Sequence, residues 1–299
     1  NKPLNRLFTA LQALCVPASW LPEDLAKTVT NATQKDIQQT HNNLFEQFYL
    51  EGLIYGYWQP LVVQDFVTEL SSLKGCKELT YNQYSINLSG KQWRNLHFPC
   101  EHNDSAIVVY LQFPDEKATT EIYTMLIETL LAGFYFDWMR NQKQLGYQVG
   151  TGYMPFNEHP GIAMYIQSSV AGPAVLYNET KTCMQHFHQW LQTLNDDQWQ
   201  KYQHSLVRQL DSSGVSFEVQ CQRYWSAIGR NPVDFHFEQH LQETVTKIAL
   251  SDLCQWFDQT FLQKEVDFCL YTAGKQEFTE RDFEQSLPSI YHFKKTQPW

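Results

Sequence analysis

Apolar positions recur along the chain at two periods, and each change of period marks a new element. Leu4, Leu7, Phe8, Leu11 and Leu14 fall at helical spacing. Leu21-Pro22-Glu23-Asp24-Leu25 places a proline and two acids in a first turn, which predicts a second helix start. Thr33 and Asp36 have capping-box spacing and open a helix that runs to about residue 47. The stretch YLEGLIYGYW (49–58) is apolar and aromatic and predicts a buried strand. Pro60 then opens a helix to about Leu73.

After Leu73 the period shortens, and the sequence turns polar at a seam near 75–92. LTYNQYSINL (79–88) and KQWRNLHF (91–98) are strand-like. In AIVVYLQF (106–113) the residues Ile107, Val109, Leu111 and Phe113 alternate with Val108, Tyr110 and Gln112, which predicts a strand. Residues 118–140 return to helical spacing, with Ile122, Met125, Leu126, Leu130, Gly133 and Phe134 on one stripe. YQVGTGYM (147–154) and GIAMYIQSS (161–169) pair as a hairpin across a turn-rich connection. Residues 174–194, 196–210 and 217–229 read as three helices, with Asn195 and Asp196 as caps. Ser251 starts one more helix, and VDFCLYT (266–272) returns as a strand. This order predicts an α+β fold with helices packed on one face of a largely antiparallel sheet.

Composition narrows the function. Of the 299 residues, 43% are hydrophobic and 15% aromatic, enough for a substantial core. The net charge is −10 and no Lys/Arg block occurs, which argues against a nucleic-acid partner; an acidic surface is more often a solubility device than a function, though it would favour basic or neutral peptide ligands. No apolar run is long enough to span a bilayer. The chain opens at Asn1 inside a helical pattern, as a fragment of something longer would. An export signal would then lie upstream, so the compartment, periplasmic or cytoplasmic, stays open. Seven cysteines, an odd number without Cys-x-x-Cys spacing, read as free thiols.

Candidate metal motifs fail on spacing. HFEQH (236–240) has the order H-x-E-x-H, so Glu238 would point away from the face shared by His236 and His240; nearby Pro232 favours a loop there. His97, Cys100 and His102 are competent zinc ligands, but Pro99 interrupts them and no fourth ligand is evident; a loop between strands explains them as well, beside the reading of a small metal protein. His186 and His188 diverge on a helix. Gly150 and Gly152 lack the third glycine of a phosphate loop, and no G-x-S-x-G occurs. Glu101, Asp104, Asp115 and Glu116 read as loop or cap carboxylates. No metal ligand is assigned in this chain.

One stretch remains, MRNQKQLGYQVGTGYMPF (139–156). On the structural reading Arg140 suits a helix C-terminus, Gly146 is a cap and Tyr147 is a core aromatic. On the functional reading a helix end and a strand start present a guanidinium and a phenol to one cleft. Both groups donate to a carbonyl oxygen that gains negative charge.

RNQKQLGYQV (140–149) resembles the R-x-x-x-x-L-G-Y segment in the C-terminal half of insulinase/pitrilysin-family zinc metallopeptidases. IAMYIQSS resembles the family strand that ends in Ile-Gln-Ser, RYWSAI (223–228) its helix with a Tyr-Trp pair, and LEGLIYGYW a strand of the preceding domain. Order and spacing hold over nearly the whole chain. The resemblance implies a clamshell of two halves, each of two similar α+β domains. Residues 1–88 would be the C-terminal part of the third domain and 89–299 the fourth. It implies that Arg140 and Tyr147 act in catalysis, Tyr147 on the oxyanion and Arg140 on a substrate carbonyl. Gln167 and Ser168 would join them in binding peptide. Zinc would be held by H-x-x-E-H in the N-terminal half, which no segment of this chain contains, so this chain would bind none and be inactive by itself. The implied partners are peptide substrates and the N-terminal half of the same protein. Peptide would be held by β-augmentation, with the 160–169 strand as a candidate. A non-catalytic binding or scaffold subunit of a two-chain complex is the alternative.

Overall fold

The computed structural model describes residues 2–76, 95–113, 118–156, 159–211, 214–229, 233–261, 268–275 and 290–295. In chain order these form α1 (Pro3–Cys15), α2 (Pro22–Thr30), α3 (Gln34–Glu46), α4 (Pro60–Ser71), β1 (Asn95–His97) and β2 (Ser105–Gln112). Then come α5 (Ala118–Phe136), β3 (Gln148–Tyr153), β4 (Gly161–Ser168), α6 (Pro173–Leu191), α7 (Asp196–Leu210) and α8 (Phe217–Ile228). The last are α9 (Phe237–Val245), α10 (Leu250–Trp256), β5 (Phe268–Thr272) and α11 (Ile290–Lys295). The expected strands at 79–88 and 91–94 lie outside the described residues.

The chain divides into two compact units. The first comprises Asn1–Ser19, Tyr84–Asp211 and His236–Trp299; the second comprises Trp20–Gln83 and Ser212–Phe235. The first is built on a five-stranded sheet of order β1-β5-β2-β4-β3, with β1 parallel to β5 and the other pairings antiparallel. The α+β architecture and the 147–169 hairpin are as the pattern predicts. Strand β2 lies at the centre, and all eight of its residues are buried. Its alternation therefore sorts residues between two covered faces rather than between core and solvent. Ile107, Val109 and Leu111 join the core formed with α5, α6, α7 and α9. On the opposite face α1 packs against the sheet, and Phe8 meets Tyr165 edge to face at 5.4 Å.

Strand β4 is hydrogen-bonded to β2 on one side and β3 on the other. Its backbone is already paired along both edges, which corrects the expectation that the 160–169 strand could accept a peptide by augmentation.

Helix α5 passes into a wider π turn at Asp137–Gln142. There the Asn141 and Gln142 side-chain amides donate to the Asp137 carboxylate at 2.8 and 2.7 Å, spanning four and five residues. The loop expected around His236 gives way to α9, which begins at Phe237 with His236 at its N-cap position; Pro232 lies outside the described residues.

In the second unit the capping box of α3 forms as predicted: Thr33 Oγ1 accepts from the Asp36 N–H, and Asp36 accepts from the Thr33 N–H at 2.8 Å. Residues 49–58 do not form the expected buried strand. They are irregular, with Tyr57 and Trp58 exposed and Gly56 at φ +124°. An apolar run of this length fits several structures by periodicity alone. Among the described residues of this unit no strand lies beside it to pair with.

Candidate functional site

The π turn, the sheet register and one close backbone approach bring three sequence-distant segments together. After Gln142 the helix ends in two backbone bonds, Lys143 N–H to Trp138 O and Leu145 N–H to Met139 O, both 2.9 Å. The left-handed residue that reverses the chain is Gln144, at φ 53°; among the described residues it alone combines a side chain with positive φ. Gly146 is therefore not the left-handed cap that its position suggests. A Cβ there would lie 2.5 Å from the Gln167 carbonyl oxygen and 2.6 Å from Ile166 Cγ1. Glycine is required because the chain passes directly over the end of β4.

Arg140 sits at the end of the π turn, half-buried, and its guanidinium donates to the Gly146 carbonyl at 3.2 Å. One residue on, the Tyr147 N–H donates to the Gln167 carbonyl at 3.2 Å, which starts the β3–β4 pairing. Residue 168 lies opposite Ser105 and residue 167 opposite Gln148. Asp104, just before β2, is thereby brought to the same end of the sheet as Tyr147 and Gln167.

These three side chains form one hydrogen-bonded cluster. The Tyr147 hydroxyl donates to Asp104 Oδ2 at 2.6 Å, and Gln167 Nε2 donates to the same oxygen at 2.9 Å. Gln167 Nε2 also donates to the Tyr147 oxygen. His102 Nδ1 accepts the Asp104 N–H at 3.0 Å and lies 3.8 Å from Asp104 Oδ2. The cluster is layered: Gln167 and Asp104 are buried, whereas Tyr147 is 45% exposed. Ser168 is also buried, and its Oγ accepts the N–H groups of Val170 and Ala171 at 3.1 and 2.9 Å, ending β4 in a tight turn.

The electrostatics follow from these bonds. Burial acts to raise the Asp104 pKa, but the hydrogen bonds from Tyr147 and Gln167 and the nearby His102 outweigh it and hold the carboxyl below its ordinary range. The Tyr147 phenol moves the other way, chiefly because its hydroxyl donates to Asp104 and secondarily through burial. At neutral pH the pair is thus a carboxylate and a protonated phenol sharing the phenol's proton as a hydrogen bond. Arg140 and Tyr147 flank one short segment, as expected. Asp104, read from the sequence as a loop or cap carboxylate, is the member that sequence reasoning missed. Only the register of β2 against β4 reveals it.

Among the described residues no three His, Cys, Asp or Glu side chains are arranged to hold a metal ion. His97, Cys100 and His102 are within that set, so the small-metal-protein reading has no geometric basis. The His97 ring instead stacks on Tyr271 at 5.1 Å.

Residues 126–225 match the family described as PQQ synthase PqqF-like, C-terminal lobe domain 4. The chain is 22% identical over 169 residues to the coenzyme PQQ synthesis protein F of Pseudomonas protegens, covering 56% of this chain and 20% of that protein. It is 24% identical over 277 residues to the insulin-degrading enzyme of Drosophila melanogaster, covering 89% of this chain and 28% of the enzyme. The fold superposes on the crystal structure of pitrilysin with a TM-score of 0.84 at 16% identity, over 99% of this chain and 32% of that one. Together these likenesses support a protein of the insulinase/pitrilysin kind. The chain corresponds to the family's C-terminal half and spans about a quarter of the length of these curated relatives.

Proposed function

We propose that the chain is the C-terminal, substrate-binding half of a zinc metalloendopeptidase that hydrolyses oligopeptides in a closed chamber. The zinc site belongs to an N-terminal half. Among the described residues of this chain no three His, Cys, Asp or Glu side chains could hold a metal ion. Residues 1–88 are read as the end of the third family domain and 89–299 as the fourth.

One observation carries the reading of the site. Tyr147 is held at the surface by two buried side chains while the residue stays 45% exposed, directly after a helix end that carries Arg140. A phenol anchored in this way is positioned before substrate arrives, which is what a donor to a developing oxyanion requires. Arg140 grips a substrate carbonyl. Gln167 and Ser168, both buried, contribute to binding by fixing the end of β4 behind Tyr147.

The test is steady-state cleavage of a quenched peptide by the complete protein. Tyr147→Phe keeps the ring and removes one donor; kcat should fall roughly 100-fold with little change in KM. Arg140→Lys should lose activity with a larger share in KM, since a point charge cannot reproduce the planar fork. Near-normal kcat in Tyr147→Phe returns the segment to a structural role and favours a non-catalytic binding or scaffold subunit.

A further inference from the structure

The hydroxyl that would serve an oxyanion is donating elsewhere. Tyr147 has one hydroxyl proton, and it is directed at a buried carboxylate 2.6 Å away. A bond to an ionised acceptor is roughly twice as strong as one to a neutral acceptor. A neutral substrate carbonyl therefore cannot draw this proton away from Asp104. A tetrahedral oxyanion is far more basic than a carboxylate and can.

We propose that Asp104 is a positioning residue for Tyr147, holding its hydroxyl proton until an acceptor more basic than a carboxylate develops beside it. This rests on the reading of Tyr147 as the oxyanion donor and adds to it the reason its bond would be confined to the transition state. Rotation about the Cζ–O bond moves the proton from Asp104 Oδ2 to the substrate oxygen. No covalent bond breaks, and Asp104 keeps the Gln167 donor throughout. Interactions made only in the transition state raise kcat, whereas a hydroxyl free to bind the ground-state carbonyl would lower KM instead.

The surroundings of the pair fit this role. Asp104 faces Tyr147, Gln167 and His102, while the Arg140 guanidinium is engaged by the Gly146 carbonyl. Gln167 Oε1 is buried without a hydrogen-bond partner. That unused acceptor makes Asp104→Asn an informative variant. If the Gln167 amide turns over, Oε1 can accept from the new Asn amide, so the cluster survives while the carboxylate is lost.

Two measurements test the proposal. In the chain itself, the Tyr147 phenol is titrated by ultraviolet absorbance, as wild type minus Tyr147→Phe. Its midpoint should lie above the ordinary value of about 10 and return towards it in Asp104→Asn. In the complete peptidase, Asp104→Asn should lower KM roughly fivefold without lowering kcat/KM, because a hydroxyl held only by a neutral amide oxygen can turn to the ground-state carbonyl as well as to the oxyanion. A merely structural Asp104 would instead reduce kcat/KM. An ordinary Tyr147 midpoint that Asp104→Asn leaves unmoved overturns the proposal. So does unchanged KM in Asp104→Asn when Tyr147→Phe costs kcat, and in that case the oxyanion role of Tyr147 stands. If Tyr147→Phe leaves kcat intact, the functional reading fails first and this inference with it.

Discussion

Lys294 in α11 donates through its ammonium to the Val16 carbonyl at 3.1 Å, just past the end of α1 and 278 residues away in sequence. The same ammonium donates to the carbonyls of Pro17, at 3.0 Å, and Ser19. It is buried, so it replaces water at the C-terminal end of α1, where carbonyls lack helical partners and the helix dipole favours a cation. Lys294→Met keeps much of the aliphatic stem and removes the donors. Charged hydrogen bonds of this kind are worth about 2 kcal/mol, and the variant should lose roughly that amount in urea unfolding. An unchanged midpoint would mean that the three carbonyls are equally well served by water.

The Asp104 carboxylate gives a signed prediction at acid pH. Burial acts to raise its pKa, yet the bonds from Tyr147 and Gln167 and the neighbouring His102 prevail, so the folded value lies below the ordinary 3.8. The unfolded chain then binds more protons than the folded one across that range, and stability rises with pH there. The contribution is complete above the unfolded pKa and is lost as pH falls through the folded one. Asp104→Asn should therefore flatten the acid limb of a stability–pH curve below about pH 4 and leave its slope near neutrality unchanged. Parallel acid limbs for the two proteins would contradict the assigned charge state.

Hydrogen exchange should separate α1 from the helices that follow it. Helix α1 buries Leu4, Leu7, Leu11 and Leu14 against the sheet, whereas α2, α3 and α4 bury no residue. Amides of 3–15 should exchange as slowly as those of β2 and β4, and amides of 22–71 faster, because fewer buried contacts oppose local opening. Equal protection of α1 and α4 would count against this division.

These cases show which parts of the molecule the sequence makes legible. Helices with a strong cap or a continuous stripe, such as α1, α3 and α7, were readable because the determinants are local: Asn195 and Gln198 close a capping box within four residues. The hairpin of β3 and β4 was readable from two apolar runs around a turn. What was not legible depends on neighbours. The run at 49–58 has strand-like composition and no strand beside it in its own unit, and α11 at six residues is too short to show a period. The site divides in the same way. Arg140 and Tyr147 stand out through a local motif. Asp104 joins them only because Ser105 lies opposite Ser168, a pairing across 63 residues that no local pattern encodes.

The junction where the site begins allows the sharpest test of sequence logic against geometry. Sequence position suggests that Gly146 supplies the left-handed turn after the helix. In the structure that conformation belongs to Gln144 at φ 53°, while Gly146 is small to let the chain cross the Gln167 carbonyl. Gln144→Gly should therefore be neutral or stabilising by up to about 1 kcal/mol, since glycine adopts positive φ without a steric penalty. Gly146→Ala should destabilise by roughly 1–3 kcal/mol, because the obstacle is a backbone carbonyl and an Ile side chain that cannot both move aside. It should also displace the start of β3 and loosen the Tyr147–Asp104 bond, bringing the phenol midpoint down towards about 10. Urea unfolding of both variants and phenol titration of Gly146→Ala check this. If Gln144→Gly destabilised and Gly146→Ala did not, the assignment of the two positions would have to be exchanged.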